Sequence, residues 1–223
     1  VTVIDENSRI SRFIEKPSWS KAYSDTVNTG IYILNRECLE LIPKDKPFDF
    51  AKDLFPLMMD KGLGLYGYIA NGYWCDIGSN TVYLNCNLDL LDKKADFEPD
   101  YKQVKAGIYS ESTINDDVAV IAPCVIGKNV KIGKGAIIGP YACIDDGCII
   151  GEGTSIRRSV IYDSVKIGKN VQIRGAVLCS LCSVKDRANI YEGAVIGEKS
   201  IIGSMCEIQT GVKVWPRKTG EDG

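Results

Sequence analysis

The most regular pattern of hydrophobic and polar positions lies in the second half of the chain, where an aliphatic residue returns every six positions. The register slips by one residue at only two places. A period of six matches neither the 3.6-residue period of a helix nor the two-residue period of an ordinary strand, so it indicates a repeat architecture. The nineteen aliphatic positions are Ile108, Ile114, Val120, Ile126, Ile132, Ile138, Ile144, Ile150, Ile156, Ile161, Ile167, Ile173, Leu178, Val184, Ile190, Ile196, Ile202, Ile208 and Val214.

A smaller residue follows most of these aliphatic residues four positions later, and glycine often follows directly. Two inward residues in each six, one large and one small, predict a narrow, filled interior. The glycines predict tight corners, where the backbone has a positive φ or a Cβ atom would collide. Three short strands complete a triangular turn of about 18 residues, which predicts roughly six stacked turns over residues 108–214. The small residues are Cys124, Val130, Ala136, Ala142, Cys148, Thr154, Val165, Val171, Cys182, Ala188, Ala194 and Cys206.

The residues before the repeat predict a mixed α/β region. Val1–Ile4 and Ile10–Glu15, joined by a polar turn, are typical of a β-hairpin. Thr26–Leu34 is apolar and β-branched enough to predict a buried strand, and Leu63–Ile69 alternates like a half-buried strand. The pattern therefore predicts strands on both sides of the helical segments.

Two helices are also predicted in this region. The first follows Phe48-Asp49-Phe50, with Asp49 and Asp53 as the cap and Phe50, Leu54, Leu57 and Met58 as the apolar face. The second runs through Leu91 with Ser79 as its N-cap. We predict an α/β region over residues 1–92, a charged connector over 93–106, the repeat over 107–215 and a tail over 216–223.

Composition narrows the function classes. The chain has 223 residues, a net charge of −2, nine cysteines and no histidine. The sequence has no run of basic residues of the kind that binds the phosphates of nucleic acid, and it has no apolar stretch near the 18 residues of a membrane span. We therefore expect neither nucleic acid nor a membrane as a partner. Four cysteines occupy small inward positions of the repeat, which predicts core thiols in a reducing, cytoplasmic environment.

Three groups of residues in the first half could do chemistry. Glu15-Lys16-Pro17 places a carboxylate and an ammonium at a strand end, where a lysine could neutralise a phosphate; a surface ion pair is the alternative. Asn28-Thr29-Gly30 offers an amide, a hydroxyl and an approachable backbone, or simply a turn. Trp74-Cys75-Asp76-Ile77-Gly78 sets a carboxylate on a turn, where Asp76 could hold Mg²⁺ or cap the next helix.

The order and spacing of these groups resemble the second half of the sugar-1-phosphate nucleotidyltransferase domain. The matching segments are Glu15-Lys16-Pro17, Asn28-Thr29-Gly30-Ile31-Tyr32, Phe48-Asp49-Phe50 and Gly72-Tyr73-Trp74-Cys75-Asp76-Ile77-Gly78. The repeat resembles the hexapeptide repeat of left-handed parallel β-helices, which several members of this family carry behind the transferase. The resemblance implies a partial α/β nucleotidyltransferase domain followed by a left-handed β-helix, and it is strongest to mannose-1-phosphate guanylyltransferases.

The resemblance also implies roles for individual residues. Glu15 would contact the sugar, Lys16 its phosphate, and Asn28 and Thr29 the sugar hydroxyls. Asp76 would be one of two aspartates that hold a catalytic Mg²⁺.

The pocket would be shaped by Gly30 and Trp74. The implied substrates are a sugar 1-phosphate and a nucleoside triphosphate, which react by in-line displacement of pyrophosphate without a histidine base. The β-helix would also offer surface for a homo-oligomer.

One family feature has no match in the sequence. Members open with a glycine-rich loop containing Gly-x-Gly-Thr-Arg-Leu, which binds the triphosphate, and the first metal-binding aspartate and the base-recognising residues belong to that same half. We therefore expect these residues to be part of a longer gene product, or one piece of a clipped chain, and to be inactive alone.

Two other functions are compatible with parts of this sequence. A non-catalytic regulatory homologue is the alternative, although Lys16 and Asp76 at matching positions favour the enzyme. An acyltransferase acting through the repeat is disfavoured, because β-helix acyltransferases generally rely on a histidine base.

Overall fold

The structure is a computed structural model that describes residues 2–13 and 26–222. The chain divides into two compact units, Val1–Gly72 and Tyr73–Gly223. Within the described ranges, no helix combines the length and the hydropathy that crossing a membrane requires.

The first unit begins with the predicted β-hairpin. Strands Thr2–Ile4 and Ile10–Phe13 pair in antiparallel fashion, and the Asp5 carboxylate accepts hydrogen bonds from the backbone N–H groups of Asn7 and Arg9 in the turn. The predicted strand over Leu63–Ile69 is reduced to a bridge between Arg9 and Tyr66, flanked by two backbone hydrogen bonds.

The helical part of the first unit follows the predicted cap. Helix α1 spans Arg36–Leu39, a π-helical turn spans Phe50–Leu54, and α2 spans Phe55–Asp60. The Asp49 carboxylate accepts from the N–H groups of Ala51 and Lys52, and Asp53 accepts from the Asp49 N–H at 2.7 Å. The reciprocal bonds satisfy N–H groups that the first helical turn leaves unpaired. Leu54, Phe55 and Met58 form the buried core of this unit.

The predicted buried strand over Thr26–Leu34 is wrong. The structure assigns no strand to these residues, and the side chains of Val27, Ile31 and Ile33 are 59%, 78% and 100% exposed. An apolar run becomes a strand only where a neighbouring strand completes its hydrogen-bond ladder. Among the described residues, no strand pairs with this segment.

The second unit contains the β-helix, whose strands form three parallel sheets. Sheet 1 contains Lys131–Ile132, Ile149–Ile150, Lys166–Ile167, Ser183–Val184 and Ile201–Ile202. Sheet 2 contains Ala119–Val120, Ile137–Ile138, Ser155–Arg157, Gln172–Arg174, Asn189–Ile190 and Glu207–Ile208. Sheet 3 contains Ile108–Ser110, Cys124–Ile126, Ala142–Ile144, Ser159–Ile161, Val177–Leu178, Val195–Ile196 and Lys213–Val214, with Gln103–Lys105 antiparallel at its edge.

The interior of the β-helix confirms the six-residue pattern. All nineteen predicted aliphatic residues lie in one core cluster or pack against it. Several glycines are required because the next turn passes close by: a Cβ atom on Gly133 would lie 2.6 Å from the backbone nitrogen of Glu152. The fold class is the predicted one, a mixed helix and strand region followed by a left-handed parallel β-helix of about six turns.

Helix α3 spans Asn80–Leu91 and covers the outer face of sheet 3. Its predicted N-cap is confirmed, because the Ser79 hydroxyl accepts from the Val82 N–H at 3.2 Å. Leu84 packs with Val160 and Val177 in a second apolar cluster. Helix α3 therefore belongs to the same compact unit as the β-helix. The predicted boundaries instead place α3 in the α/β region, before a connector that begins at residue 93. These domain boundaries stay a prediction.

Candidate functional site

The Asn28–Tyr32 segment forms a defined turn in the first unit. The Asn28 Oδ1 atom accepts from the Gly30 N–H at 3.0 Å, and the Asn28 amide donates to the Tyr32 hydroxyl at 2.7 Å. Gly30 has a φ of +77°, and nothing lies within 4 Å of where its Cβ would be, so glycine is favoured there by conformation and not by space. Asn28 and Thr29 are half-buried.

Tyr32 connects this turn to the capped helical segment. Its ring stacks on Phe50 with centroids 5.5 Å apart and meets the edge of Phe55 at 5.0 Å. Such aromatic pairs hold each other in fixed orientations. The structure therefore brings together two of the groups found in the sequence, Asn28-Thr29-Gly30 and Phe48-Asp49-Phe50.

In the second unit, the segment from Tyr73 to Gly78 is attached to α3 at both ends. The Tyr73 hydroxyl donates to the Asp89 carboxylate at 2.9 Å, and the Lys94 ammonium donates to the other oxygen of that carboxylate at 2.6 Å. Ser79, at the other end of the segment, caps α3. These anchors hold the backbone between them along the helix.

Asp76 lies between the two anchors, with its side chain exposed. Because Ser79 supplies the helix cap, the alternative role of Asp76 as a cap is wrong. Among the described residues, none is hydrogen-bonded or ion-paired to the Asp76 carboxylate, while the Asp76 carbonyl accepts from the Gly78 N–H at 3.0 Å. Trp74 is 48% exposed. The structure thus presents a carboxylate and an indole to solvent on an anchored segment.

The anchor at Asp89 is electrostatic as well as geometric. The hydrogen bond from Lys94, and then that from Tyr73, hold the pKa of Asp89 below its ordinary value. The same pairing with Asp89 raises the pKa of Lys94. Asp89 and Lys94 therefore keep opposite charges throughout the neutral range.

The donor chemistry of Asp76 fits Mg²⁺, since this ion prefers carboxylate oxygens and commonly takes one or two protein carboxylates plus phosphate oxygens. Over residues 2–13 and 26–222, no group of three His, Cys, Asp or Glu side chains lies close enough to hold a metal. Within these ranges Asp76 is thus a single candidate ligand and not a complete site.

The predicted site residues do not all fall within one unit of the structure. Glu15 and Lys16 lie outside the described residues. Asn28, Thr29 and Gly30 belong to the first unit, and Trp74 and Asp76 to the second.

A cavity of about 480 Å³ lies between α3, the connector and sheet 3 in the second unit, walled by residues that include Tyr83, Phe97, Tyr101, Tyr109 and Tyr162. None of the predicted site residues that the structure describes lines it.

Comparison with known proteins agrees with this architecture. Residues 1–93 match the Nucleotidyl transferase family and residues 120–219 match the GMPPB C-terminal domain family. The relatives of this chain are sugar-1-phosphate nucleotidyltransferases. Glucose-1-phosphate adenylyltransferase of Acetivibrio thermocellus is 30% identical over 97% of this chain and 56% of the relative.

Two further relatives differ in the nucleotide that they are named for. UTP--glucose-1-phosphate uridylyltransferase of Synechocystis sp. is 32% identical over 78% of this chain and 46% of its own length. Mannose-1-phosphate guanylyltransferase 1 of Arabidopsis thaliana is 29% identical over 89% of this chain and 51% of its own length. The chain spans about half the length of the curated relatives it matches.

Sequence reasoning missed four residues that position the candidate site: Tyr32, Tyr73, Asp89 and Lys94. Tyr32 and Tyr73 stand inside the matched segments, so their place in those segments was an available signal. Asp89 lies in the last turn of α3 and Lys94 lies three residues beyond its end, and no sequence pattern distinguishes them from solvated surface charges.

Proposed function

We propose that this chain is the sugar-phosphate portion of an enzyme that joins a nucleoside triphosphate and a sugar 1-phosphate into a nucleotide sugar and pyrophosphate. The observation that carries the proposal is the exposed Asp76 carboxylate, held on a segment that Tyr73 and Ser79 attach to α3. The family matches over residues 1–93 and 120–219 support it.

In the proposed reaction, an oxygen of the sugar phosphate attacks the α-phosphorus of the triphosphate. The bond from the α-phosphorus to the bridging oxygen breaks, and pyrophosphate leaves with the electron pair. The attacking phosphate is already ionised at neutral pH, so no side chain needs to remove a proton, and positioning and charge neutralisation dominate the rate.

The residues of this chain would act mainly on the sugar phosphate. Lys16 would neutralise the phosphate, and Glu15, Asn28 and Thr29 would bind the sugar hydroxyls. Gly30 and Trp74 would bound the pocket, as the resemblance implies. Asp76 would hold Mg²⁺, which when bound withdraws charge from phosphate oxygens.

The proposed product is GDP-mannose. Support comes from the match of residues 120–219 to the GMPPB C-terminal domain family and from the guanylyltransferase among the relatives. Other relatives are named for adenylyl and uridylyl transfer to glucose 1-phosphate. Guanine as the base and mannose as the sugar are therefore proposed separately from nucleotide-sugar formation itself.

Location and assembly are also proposed. Nine free cysteines, three of them buried in the β-helix, support location of the protein in a reducing cytoplasm.

Exposed aliphatic side chains on the outer faces of the β-helix, including Ile137, Ile149 and Ile201, support self-association through this domain. A single monomeric species in light scattering at assay concentrations would contradict the proposed homo-oligomer.

The direct test is pyrophosphate release with Mg²⁺, pairing each common nucleoside triphosphate with mannose 1-phosphate and with glucose 1-phosphate. The 223-residue chain and the full-length gene product are assayed side by side. We expect the full-length product to prefer GTP with mannose 1-phosphate and the chain alone to be inactive. If neither protein released pyrophosphate, the result would favour the non-catalytic regulatory homologue.

A second experiment tests the assignment of Lys16. In the full-length product, Lys16→Ala should raise the KM for the sugar phosphate at least about tenfold, because a charge-assisted phosphate contact is lost. The KM for the triphosphate should change little. Equal KM values for the sugar phosphate in the two proteins would remove Lys16 from the site.

A further inference from the structure

The outer face of sheet 3 carries a row of uncharged side chains. Tyr109, Val125, Cys143 and Val160 are paired in register, each from the middle of its strand, on four neighbouring strands. Side chains alternate along a strand, and the residues on either side of each of the four face the interior, so these four face outward. Four successive outward positions without a charge indicate a face that the chain covers.

Helix α3 and the connector cover this row and leave the cavity of about 480 Å³ above it. One wall is a stripe of α3 that contains Tyr83, Asn87, Leu90 and Leu91, which are spaced as one face of a helix. Residues 97 and 99–101 of the connector form another wall. The volume falls within the range of about 300–1,000 Å³ that is typical of small-molecule sites.

Hydrogen bonds fix the walls of the cavity. The Tyr109 hydroxyl donates to the Glu98 carboxylate at 2.6 Å, and the Lys93 ammonium donates to the other oxygen of that carboxylate at 2.8 Å. On the side of α3, the stacked rings of Tyr83 and Tyr162 are joined through their hydroxyls at 2.7 Å. The cavity is therefore preformed, and the charge of Lys93 is already compensated by Glu98.

Three half-buried polar residues that line the cavity have hydrogen-bonding capacity to spare. The amide nitrogen of Asn87 donates to the Tyr83 carbonyl at 2.9 Å, which leaves the Asn87 Oδ1 atom as an acceptor. The Asp145 carboxylate accepts from the Asp146 N–H at 2.8 Å through one oxygen, which leaves the other oxygen as an acceptor. Among the described residues, none is hydrogen-bonded to the Tyr101 hydroxyl.

The charges at the cavity disfavour an anionic ligand. Asp100 and Asp145 line it, and Lys128 is the lysine of the described lining that has no ion pair. Burial first, and then nearby aspartates, raise the pKa of Tyr101, so its hydroxyl stays protonated and can donate. The lining thus offers two carboxylates and a neutral donor against one free ammonium, and a polyphosphate would meet like charge there.

We propose that this cavity binds an uncharged nucleoside. The planar base lies against the rings of Phe97 and Tyr109, because aromatic side chains stack on the face of any base. An amino group on the base donates to the Asn87 Oδ1 atom, and a ribose hydroxyl donates to the Asp145 carboxylate. The Tyr101 hydroxyl donates to a ring nitrogen or a ribose oxygen. This site goes beyond the proposed function and does not depend on it.

The first experiment measures binding of three probes to the 223-residue chain by isothermal titration calorimetry without Mg²⁺. We expect adenosine to bind with a Kd below about 1 mM. Ribose lacks the ring and ATP adds negative charge, so each should bind at least about tenfold more weakly. Absence of adenosine binding at about 5 mM, or binding of ATP as tight as that of adenosine, would overturn the proposal.

Hydrogen exchange locates the bound nucleoside in the same chain. Adenosine should slow amide exchange in peptides that cover residues 97–101 and should leave peptides that cover residues 28–32 unchanged. Slowed exchange at residues 28–32 without any change at residues 97–101 would place the nucleoside elsewhere and contradict the proposal.

A filling variant with a matched control tests the cavity itself. Val125→Trp places a large ring on the floor and should abolish adenosine binding. Ile149→Trp, at an exposed outward position of sheet 1, should retain wild-type affinity. Circular dichroism verifies that both variants are folded. Wild-type affinity in a folded Val125→Trp would contradict the proposal.

Two conservative variants keep the test decisive if Val125→Trp does not fold. Tyr101→Phe removes a hydroxyl and keeps the ring, and Asp145→Asn removes a charge and keeps an acceptor for the Asp146 N–H. Each should raise the Kd for adenosine about fivefold, whereas Asp116→Asn, an exposed carboxylate away from the cavity, should leave it unchanged. Wild-type affinity in both cavity variants would exclude the assigned contacts.

Discussion

The hydroxyl of Tyr162, which directly follows strand Ser159–Ile161 of sheet 3, donates a hydrogen bond of 2.7 Å to the hydroxyl of Tyr83 on α3, and the two rings stack with centroids 6.2 Å apart. This pair joins the β-helix to the helix that anchors the Asp76 segment. A second link, from the Tyr141 hydroxyl to Asp92 at 2.7 Å, lies just beyond the end of α3. The candidate site in this unit is therefore supported by the β-helix through α3.

The packing of α3 on sheet 3 predicts a large effect of Leu84→Ala. Leu84 is buried against Val160 and Val177, and truncation leaves a cavity there. We expect the free energy of unfolding to fall by about 2–4 kcal/mol, measured by urea denaturation. The exposed neighbour Asn85→Ala should change it by less than about 0.5 kcal/mol. Equal stability of the two variants would show that α3 is not packed as described.

A buried hydroxyl in the β-helix predicts the effect of Thr154→Val. The Thr154 hydroxyl donates to the Gly168 carbonyl at 2.7 Å and accepts from the Val171 N–H at 3.1 Å. Valine has nearly the same shape but leaves both backbone groups unpaired, at a cost of about 1–3 kcal/mol. Hydrogen exchange at the Val171 amide should accelerate in Thr154→Val and stay slow in Thr154→Ser. Slow exchange in both variants would contradict the assigned bonds.

Two glycines that are close in sequence should respond differently to alanine. Gly133→Ala places a Cβ against the backbone of Glu152 in the next turn, whereas Gly135 has a φ of +69° and open space around its Cβ position. We expect a loss of about 3 kcal/mol at Gly133, from the collision, and about 1 kcal/mol at Gly135, from backbone strain. Thermal unfolding of both variants measures the difference. The opposite order would exclude the proposed close stacking of turns.

The pairing of Asp89 predicts a pH dependence of stability. Because Lys94, and then Tyr73, lower the pKa of Asp89 in the folded state, its stabilisation is present above the ordinary carboxyl pKa of about 3.9. It is lost as the pH falls through the lowered folded value. The Tm of Asp89→Asn should be below wild type at about pH 7, and the two values should converge as the pH falls below the lowered folded pKa of Asp89. A Tm difference that is independent of pH would contradict the ion pair.

The sequence predicted the β-helix well because its interior depends on a local repeat. Each of the nineteen aliphatic residues faces inward, and the inward position follows from the six-residue spacing alone. Val118 and Ala176 also enter the core but were not among the predicted small positions. Val118 lies four positions after Ile114 and fits the repeat as it stands, whereas Ala176 lies three positions after Ile173, where the register slips by one residue.

The first unit was harder to predict because its elements depend on partners that are distant in sequence. Ile31 and Ile33 have the composition of a strand, yet a strand requires a neighbouring ladder that local sequence does not specify. Asp49 was predicted as a cap, since capping depends on residues within one helical turn. The contact of Tyr32 with Phe50 is tertiary and leaves no periodic pattern in the sequence, and the same holds for the contact of Tyr73 with Asp89 in the second unit.

The most direct test of the central claim is the rate of pyrophosphate release by the full-length gene product carrying Asp76→Asn, titrated with Mg²⁺. Asp96→Asn, an exposed carboxylate in the connector, is the matched control. We predict that Asp76→Asn lowers kcat by two to three orders of magnitude, because the charge that holds the ion is removed, while Asp96→Asn retains wild-type kinetics. Wild-type turnover and an unchanged Mg²⁺ requirement in Asp76→Asn would contradict the proposed site.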